Sequence, residues 1–460
     1  MFILMVVIFV LGYTAIALEH PLKIDKAASA LFIGTATWVA YIFGAFDIFT
    51  QGFSPAWNEF VASNPHENTH EGMIHFIGHN QVIHHLGEIG EILFFLLGAM
   101  TIVEIVDQHE GFKAITDKIK TTKKVKLLWI LSFITFFMSA ALDNLTTTIV
   151  MVALLRKLIE DKQTRWFFAS MVVLAANAGG AWSPIGDVTT IMLWIGGQVT
   201  TVSIITQVIL PSLVCMIVPL ALLSFTMKGN VKRPQIEEDE GVNTSQGERN
   251  LLLVMGVLGL LFVPVFKTVT HLPPYMGMLL SLAILWITTE IIHKKKEESN
   301  KLTVTNILQK VDVPTVLFFL GILSAVAALQ SAGQLHILAQ FLDEQLGSVF
   351  AIDLAIGVLS SIVDNVPLVA GAMGMYPIAD PAATGYLANF VQDGVFWEFL
   401  AYTAGTGGSM LIIGSAAGVA AMGLEKIDFI WYLKRISLLA LLGYVAGAAV
   451  YYLQHILMAG

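Results

Sequence analysis

Two stretches of this chain decide its fold: Ser139-Ala-Ala-Leu-Asp-Asn-Leu-Thr-Thr-Thr148 and Ser360-Ser-Ile-Val-Asp-Asn-Val-Pro-Leu-Val369. Each holds an Asp-Asn pair, Asp143-Asn144 or Asp364-Asn365, inside a long apolar run. A carboxylate in the interior of a membrane is costly and marks a functional site. Two such pairs in matched surroundings indicate an internal repeat that builds one site from two halves.

The composition is that of a membrane protein. The chain has 460 residues, of which 56% are hydrophobic and 13% are charged, whereas a soluble domain is about 25% charged. Apolar runs of about 20 residues, the length that spans a bilayer, recur from end to end. The net charge of -9 gives no basic footprint for nucleic acid. The single cysteine, Cys215, supports no disulfide framework, zinc cluster or redox pair. The sequence predicts an all-α polytopic protein whose surroundings are the lipid bilayer.

The distribution of basic residues predicts the topology. No Lys or Arg lies between Ala27 and Phe112, or between Val311 and Glu425. When all basic clusters are placed in the cytoplasm, 24 of the 25 Lys and Arg residues are inside and only Lys267 is outside. This assignment requires segments 127–155 and 349–378 to enter and leave on one side, as re-entrant hairpins with the Asp-Asn pairs at their tips. Because the first hairpin has basic flanks and the second has acidic flanks, they should enter from opposite faces.

Two further motifs of the first half of the sequence recur in the second half. Leu93-Phe-Phe-Leu96 recurs as Leu317-Phe-Phe-Leu320. Three glycines of the first half also recur in the second with the same internal spacing: Gly179, Gly180 and Gly186 match Gly407, Gly408 and Gly414. We therefore predict two inverted repeats, residues 1–227 and 250–460, each with five transmembrane helices and one hairpin. A cytoplasmic linker at 228–249 should join them.

Each hairpin is accompanied by an interrupted span. The two interruptions are Asn177-Ala-Gly-Gly-Ala-Trp-Ser-Pro-Ile-Gly-Asp-Val-Thr-Thr190 and Thr403-Ala-Gly-Thr-Gly-Gly-Ser-Met-Leu-Ile-Ile-Gly-Ser415. A broken helix frees backbone carbonyls whose partial negative charge favours a cation. Carboxylate, amide and hydroxyl oxygens are further ligands for a small hard cation. For the glycines alone, close helix packing would be the better explanation, but their repetition beside the Asp-Asn pairs favours a site.

Three carboxylates, those of Asp143, Asp187 and Asp364, are candidate Na⁺ ligands. Neither hairpin carries Lys or Arg within its apolar run, and a buried carboxylate without a cationic partner either is protonated or holds a cation. This alternative occupancy is the physical basis of cation/proton exchange. Asp187 could instead be solvated at a span end. The position that matches Asp187 in the second half is Ser415, so the extra carboxylate favours cation binding by the first half.

Histidines are concentrated in one polar segment, and several are spaced by four residues, which places them on one helical face. A segment of this kind could bind a metal ion or act as a pH sensor. We expect a solvated segment on the outer surface rather than a metal site, and leave pH sensing open. The residues are His66, His70, His75, His79, His84 and His85.

Three stretches, at 91–104, 139–148 and 177–190, resemble the NhaD-type sodium/proton antiporters of bacteria. The resemblance runs from about His84 to the C terminus. It implies membership of the ion transporter superfamily, an elevator-type division into scaffold and transport domains, a homodimer, and the bacterial inner membrane. It also implies roles for Ser139, Asp143, Asn144, Asn177, Asp187, Thr189, Ser360, Asp364 and Asn365.

We therefore predict a secondary active transporter, not an enzyme, that exchanges Na⁺ or Li⁺ for H⁺. Cation and proton should compete for the buried aspartates, and no cofactor is expected beyond the transported ions. The predicted ligands are Asp143, Asn144, Asp187, Asp364 and Asn365, supported by Ser139, Thr146, Asn177, Thr189, Ser360, Thr406 and Ser409. A sodium-coupled carboxylate transporter of the same fold is an alternative, although its anionic substrate would meet three carboxylates. A membrane-embedded metalloenzyme that uses the histidines is a further alternative.

Overall fold

The computed structural model describes residues 1–52, 54–113, 119–234, 244–294 and 302–459. Across these residues the regular secondary structure is helical, and no strand longer than an isolated bridge occurs. Eight helices within this part of the chain are long and apolar enough to cross a membrane. The predicted all-α polytopic membrane protein is therefore confirmed. Within the predicted linker 228–249, residues 235–243 lie outside the described ranges.

The helix bounds follow the apolar runs and the breaks of the sequence. In the first half the described helices are α1 (Phe2–Ala17), α2 (Glu19–Leu22), α3 (Lys26–Thr50), α4 (Pro55–Ser63), α5 (His70–His75), α6 (Ile83–Gln108), α7 (Lys124–Leu142), α8 (Asn144–Leu158), α9 (Lys162–Ala181), α10 (Val188–Ile195) and α11 (Thr201–Thr226). In the second half they are α12 (Gln246–Thr270), α13 (Pro274–His293), α14 (Val304–Leu308), α15 (Val313–Ser331), α16 (Gln334–Leu346), α17 (Val349–Leu359), α18 (Asn365–Met375), α19 (Val395–Gly407), α20 (Ala416–Glu425), α21 (Phe429–Arg435) and α22 (Ser437–Ala459).

The chain divides into two compact units. The first unit comprises Met1–Phe94, Asp312–Ile352 and Val366–Ile378, and the second comprises Phe95–Val311, Asp353–Asn365 and Ala379–Gly460. Each unit therefore draws on both halves of the sequence. Every predicted ligand and supporting residue belongs to the second unit.

The first unit is built on close packing of α3 against α15. A Cβ added to Gly34 would lie 2.5 Å from the carbonyl oxygen of Gly321, so the two backbones touch where neither residue has a side chain. The indole of Trp38 donates to Ser324 Oγ at 3.1 Å, and Tyr41 Oη donates to the Ser331 carbonyl at 3.0 Å. Small residues and interhelical hydrogen bonds of this kind are what hold helices together in lipid.

The histidine-rich segment also belongs to the first unit. Helix α5 continues through a π-helical stretch at Phe76–Val82 into α6. The rings of His75 and His79 stack with centroids 4.4 Å apart, and His85 contacts Glu88 and Ser331. Among the residues described, no group of three or more His, Cys, Asp or Glu side chains is arranged to hold a metal ion. The role in pH sensing stays a prediction.

The first predicted hairpin, 127–155, consists of α7 and α8 with a break at Asp143. Its two ends lie together, because Lys124 Nζ at the start of α7 donates to Thr164 Oγ1 at 3.1 Å, just beyond the end of α8. The first arm starts earlier than the predicted segment: α7 has 19 residues, or about 28 Å at 1.5 Å per residue, and is among the eight helices of the described residues that are long enough to span a bilayer. The reason is that this helix begins at Lys124, before the apolar run starts.

The second predicted hairpin, 349–378, consists of α17 and α18. Each has 11 residues, about 16 Å, which is too short to cross a bilayer. The predicted interruptions also occur, since the span at 167–197 is divided into α9 and α10 and the span at 395–424 into α19 and α20. An apolar core that includes Leu131, Val152, Phe168 and Tyr432 packs around these elements in the second unit.

Candidate cation site

Asp143 lies at the tip of the first hairpin in a strained backbone conformation. Its φ is 77° and its ψ is 161°, a region that non-glycine residues rarely occupy and that clusters at functional sites. Its carboxylate accepts hydrogen bonds from the backbone N–H of Thr146 at 2.8 Å and from Thr146 Oγ1 at 2.9 Å. Asp143 is thus the N-cap of α8, and Thr146 holds its carboxylate in position.

Asp187 lies at the centre of the polar cluster. Its side chain is 1% exposed, so the structure places it inside the protein rather than at a solvated span end. Asp187 Oδ1 accepts from the N–H and hydroxyl of Thr189, at 2.9 and 2.8 Å. The amide of Asn144 donates to Asp187 Oδ2 at 2.5 Å, and the amide nitrogen of Asn365 lies 3.4 Å from both carboxylate oxygens. One carboxylate therefore joins the asparagines of both Asp-Asn pairs.

Asn177 links the two interrupted spans. Its amide oxygen accepts from Asn144 at 3.1 Å, and its amide nitrogen donates to the hydroxyls of Ser409 and Ser415, each at 2.9 Å. Asn177 is fully buried. Ser415 was not among the predicted ligands, although its match to Asp187 in the repeat was a signal for it.

The three carboxylates are close enough to influence one another. Asp187 interacts electrostatically with Asp143 and with Asp364. Asp364 stands directly before α18, whose first residue Asn365 reaches Asp187. In a low-dielectric interior, carboxyl groups that interact with one another cannot all be ionised unless another charge compensates them. Bound protons or a bound cation can supply that compensation.

The two halves make matching contacts. Ser139 Oγ donates to the Ala176 carbonyl at 2.6 Å, and Ser360 Oγ donates to the Ala404 carbonyl at 2.9 Å. Each serine precedes its Asp-Asn aspartate by four residues, and each alanine precedes its glycine pair by three. These contacts bring each hairpin against its own interrupted span.

The glycines at these positions are required by close approach. A Cβ on Gly179 would lie 2.1 Å from the carbonyl oxygen of Phe136, and one on Gly407 would lie 2.0 Å from that of Gly357. Both distances are far inside van der Waals contact. Phe136 and Gly357 each stand three residues before the serine of their hairpin, so the approach is the same in both halves.

The side chains of some residues make other contacts than the sequence pattern predicts. Thr406 Oγ1 donates to the Tyr402 carbonyl of its own helix at 2.6 Å, rather than to the network around Asp187. The hydroxyls of Thr147 and Thr148, which the pattern did not single out, are buried without a hydrogen-bond partner. The run of three threonines after Asn144 was the only signal for them.

Comparison with known proteins identifies the family. The family model described as "Citrate transporter" matches residues 2–391. The chain is 46% identical to "Sodium/proton antiporter 1" of Arabidopsis thaliana over 451 residues, covering 98% of this chain and 72% of the relative. It is 42% identical to "Sodium/proton antiporter 2" of the same plant over 458 residues, covering 98% and 99%. It is 33% identical over 386 residues to "Na(+)/H(+) antiporter NhaD" of Vibrio parahaemolyticus, covering 78% and 89%.

These matches agree with the resemblance that the motifs carry and extend it toward the N terminus. Family and relatives alike are transporters, which removes the metalloenzyme alternative. The chain belongs to the NhaD-type sodium/proton antiporters of the ion transporter superfamily.

Proposed function

We propose that the protein exchanges Na⁺ or Li⁺ for H⁺, and that the two compete for Asp143, Asp187 and Asp364. The family and the named relatives make it a multi-pass membrane protein that exchanges a cation for protons. The observation that best supports this mechanism is the position of Asp187, whose buried carboxylate contacts both Asn144 and Asn365. In this structure both amides present their N–H groups to the carboxylate, so a cation bound there would require the amide oxygens to turn toward it.

The chemistry follows from the donor set. Carboxylate, amide and hydroxyl oxygens suit a hard cation such as Na⁺ or Li⁺, and they are contributed by the aspartates, the asparagines, Thr189 and Ser409. Protonation neutralises the same carboxylates. Cation release and proton uptake are therefore two ways of supplying the compensating charge that these carboxylates need.

The decisive experiment replaces Asp143 and Asp364 singly by asparagine. Asparagine has nearly the same size and still caps a helix, so packing should survive, but it carries no charge to exchange. Na⁺-driven proton flux in everted vesicles should be abolished in both variants. Asp161→Asn is the matched control, because Asp161 is an exposed N-cap whose side chain accepts from Thr164 N–H. Normal flux in both Asp143→Asn and Asp364→Asn would remove these residues from the mechanism.

Competition also predicts the pH dependence. Apparent Na⁺ affinity should weaken as pH falls, by up to about tenfold per unit for each displaced proton while the site is mostly protonated. Exchange should therefore decline at acid pH. A Na⁺ affinity that stays constant from acid to alkaline pH would favour separate routes for cation and proton. The same titration with Li⁺ tests the second cation.

The inverted repeat and the elevator-type movement are part of this proposal. The matching serine and glycine contacts support the repeat, and the meeting of the two hairpin ends at Lys124 and Thr164 supports re-entry. Cysteines placed at Lys124 and Lys162 in a Cys215→Ser background should both label from the cytoplasm. Cysteines at Glu344 and Asp380 should both label from outside. Labelling of Lys124 and Lys162 from opposite sides would make 127–155 an ordinary span.

The homodimer and the host membrane complete the proposal. The bacterial inner membrane is supported by the Vibrio relative, while the two Arabidopsis relatives are more similar in sequence. Fractionation of cells that produce the protein tests the membrane. Crosslinking in native membranes tests the dimer.

A second candidate, sodium-coupled carboxylate transport, is favoured by one observation: the matching family model is described as a citrate transporter. A citrate anion would have to approach three carboxylates, whose charges repel it. Uptake of labelled citrate driven by a sodium gradient in proteoliposomes distinguishes the two candidates. Antiport without citrate uptake is the expected result.

A further inference from the structure

A second group of buried carboxylates lies in the same unit, away from the cluster around Asp187. Asp353 in α17 is fully buried, and neither of its carboxylate oxygens has a hydrogen-bond partner. Glu398 in α19 is 6% exposed. Ionised carboxylates are costly to bury, and a buried polar group left without a partner requires an explanation.

The two carboxylates have unlike surroundings. Glu398 is satisfied, since Tyr451 Oη donates to its Oε2 at 2.8 Å and the hydroxyl of Ser203 donates to its Oε1. Asp353 receives no donor of this kind. Burial without donors favours the neutral form of a carboxyl, whereas two hydroxyl donors stabilise the charged form. Of the two carboxyl groups, Asp353 therefore has the stronger tendency to hold a proton.

Tyr451 lies near both carboxylates. This tyrosine interacts electrostatically with both Glu398 and Asp353. Tyr444, seven residues before Tyr451 in α22, also interacts with Asp353, and its hydroxyl donates to the Leu354 carbonyl at 3.1 Å. The carboxyl groups, the two tyrosines and the serine come from α11, α17, α19 and α22.

The group has an outer and an inner end. Asp393, in the loop before α19, interacts electrostatically with Glu398 and accepts hydrogen bonds from the N–H and hydroxyl of Thr200. Asp393 is partly exposed. At the other end, Asp353 precedes Ser360 by seven residues, about 10 Å along a helix. Ser360 in turn precedes Asp364, a proposed ligand of the cation.

We infer that Asp353, with Glu398 and Tyr451 beside it, forms a proton-binding site that supplies protons to the cation site from the side of Asp393. The inference rests on the proposed cation/proton exchange. Asp353 binds the proton as a carboxylic acid, and Glu398, whose carboxylate accepts from Tyr451 and Ser203, is its neighbour toward Asp393. A metal cation would require several oxygen ligands, and no hydroxyl or amide of the described residues lies within hydrogen-bond distance of the Asp353 carboxylate to add to its two oxygens.

Infrared spectroscopy tests the bound proton directly. Difference spectra of purified protein between alkaline and acid pH, without Na⁺, should contain a carboxylic-acid C=O band that Asp353→Asn removes. Asp353→Leu should remove the same band, and its apolar side chain suits an apolar site, so a folding defect of one variant does not leave the question open. Asp343→Asn is the matched control, since Asp343 accepts from Tyr376 Oη at 2.9 Å in a partly exposed position. An unchanged band in both Asp353 variants overturns the inference.

Transport assays test the role of the proton. Asp353→Asn and Glu398→Gln should each lower Na⁺-driven proton flux by about a hundredfold, the lower end of what one proton-transfer group contributes, and shift its pH profile. The rise of Tm on adding Na⁺ should stay as in the unmodified protein. Loss of that rise in Asp353→Asn would make Asp353 a cation ligand, and normal flux at every pH would deny it a role; either result overturns the inference. If the unmodified protein shows no Na⁺-driven flux, the proposed exchange fails, while the infrared band still decides whether Asp353 holds a proton.

Discussion

The short helices α10 and α20 follow the two interruptions at matching positions in the two halves of the sequence. Their N-cap residues differ, since one is an aspartate and the other a serine. Helix α10 begins at Asp187, which contacts Asn144 and Asn365, and near its end the carbonyl of Trp194 accepts from Lys267 Nζ at 2.6 Å. Helix α20 begins at Ser415, whose hydroxyl caps its first turn.

At its other end, α20 is held by a buried ion pair. Arg156 and Arg165 donate to the two carboxylate oxygens of Glu425, at 2.7 and 2.9 Å. Arg156 lies in the last turn of α8 and Arg165 in the first turn of α9, so the base of the first hairpin is tied to α20. The comparison teaches that two similar backbone arrangements can differ in single side chains, with a buried carboxylate at the start of α10 and an anchoring carboxylate at the end of α20.

The largest effect is expected when the two caps are made alike. Asp187→Ser keeps an N-cap hydroxyl for α10 but removes the central carboxylate. Exchange should therefore fall by at least about a hundredfold, the scale on which one preorganised polar group contributes to a rate. Na⁺-driven proton flux in proteoliposomes measures this. Ser415→Ala is the counterpart and should lower stability by about 1 kcal/mol while keeping measurable exchange. Equal losses of exchange in Asp187→Ser and Ser415→Ala would show that the two N-cap residues do not differ in function.

The next effect concerns the anchor of α20. Glu425→Gln leaves two arginines facing a neutral group, and breaking a buried pair costs about 3 kcal/mol. Thermal unfolding of the detergent-solubilised protein should show a clear fall in Tm. Arg156→Gln should cost less, because the side chain of Arg156 is 49% exposed while that of Glu425 is 1% exposed. A Tm unchanged by Glu425→Gln would make the anchor irrelevant to stability.

A third effect tests the equivalence of the two backbones. Gly179→Ala and Gly407→Ala each force a methyl group onto a facing carbonyl oxygen and should destabilise by about 1–3 kcal/mol. Gly423→Ala in α20 is the control, because its added Cβ would meet nothing within 4 Å, and alanine is the better helix former. Similar falls in Tm for the first two variants support matched packing. A large fall in only one of them contradicts it.

The smallest effect is expected at the far end of α10. Lys267 donates to a carbonyl in the last turn and lies 4.4 Å from the centroid of the Trp194 ring. A cation at a helix C terminus and over an indole contributes about 0.5–2 kcal/mol. Lys267→Met should therefore lower Tm slightly and leave exchange within a few-fold of normal. The exposed Lys228→Met provides the baseline, and a Tm equal to that baseline would remove the contribution of Lys267.

Much of the site was predictable because it lies where the sequence breaks its own pattern. The Asp-Asn pairs interrupt apolar runs, and the glycines interrupt spans, so helix ends could be placed near Asp143, Asp187 and Asp364. Asp353 and Glu398 were missed because neither accompanies a break or a repeated motif. The anchor at Glu425 was missed because a charged residue at a span end is ordinarily solvated.

The sequence by itself determined the class of protein, the breaks in its helices and the supply of buried oxygen ligands, because composition and periodicity are local properties. Only the tertiary structure decided which side chains meet. Asp187 contacts Asn144, 43 residues away, and Asn365, 178 residues away, at 2.5 and 3.4 Å. Hydrogen bonds demand such distances within a few tenths of an ångström, and that precision arises from the packing of whole helices, which no single stretch of the chain encodes.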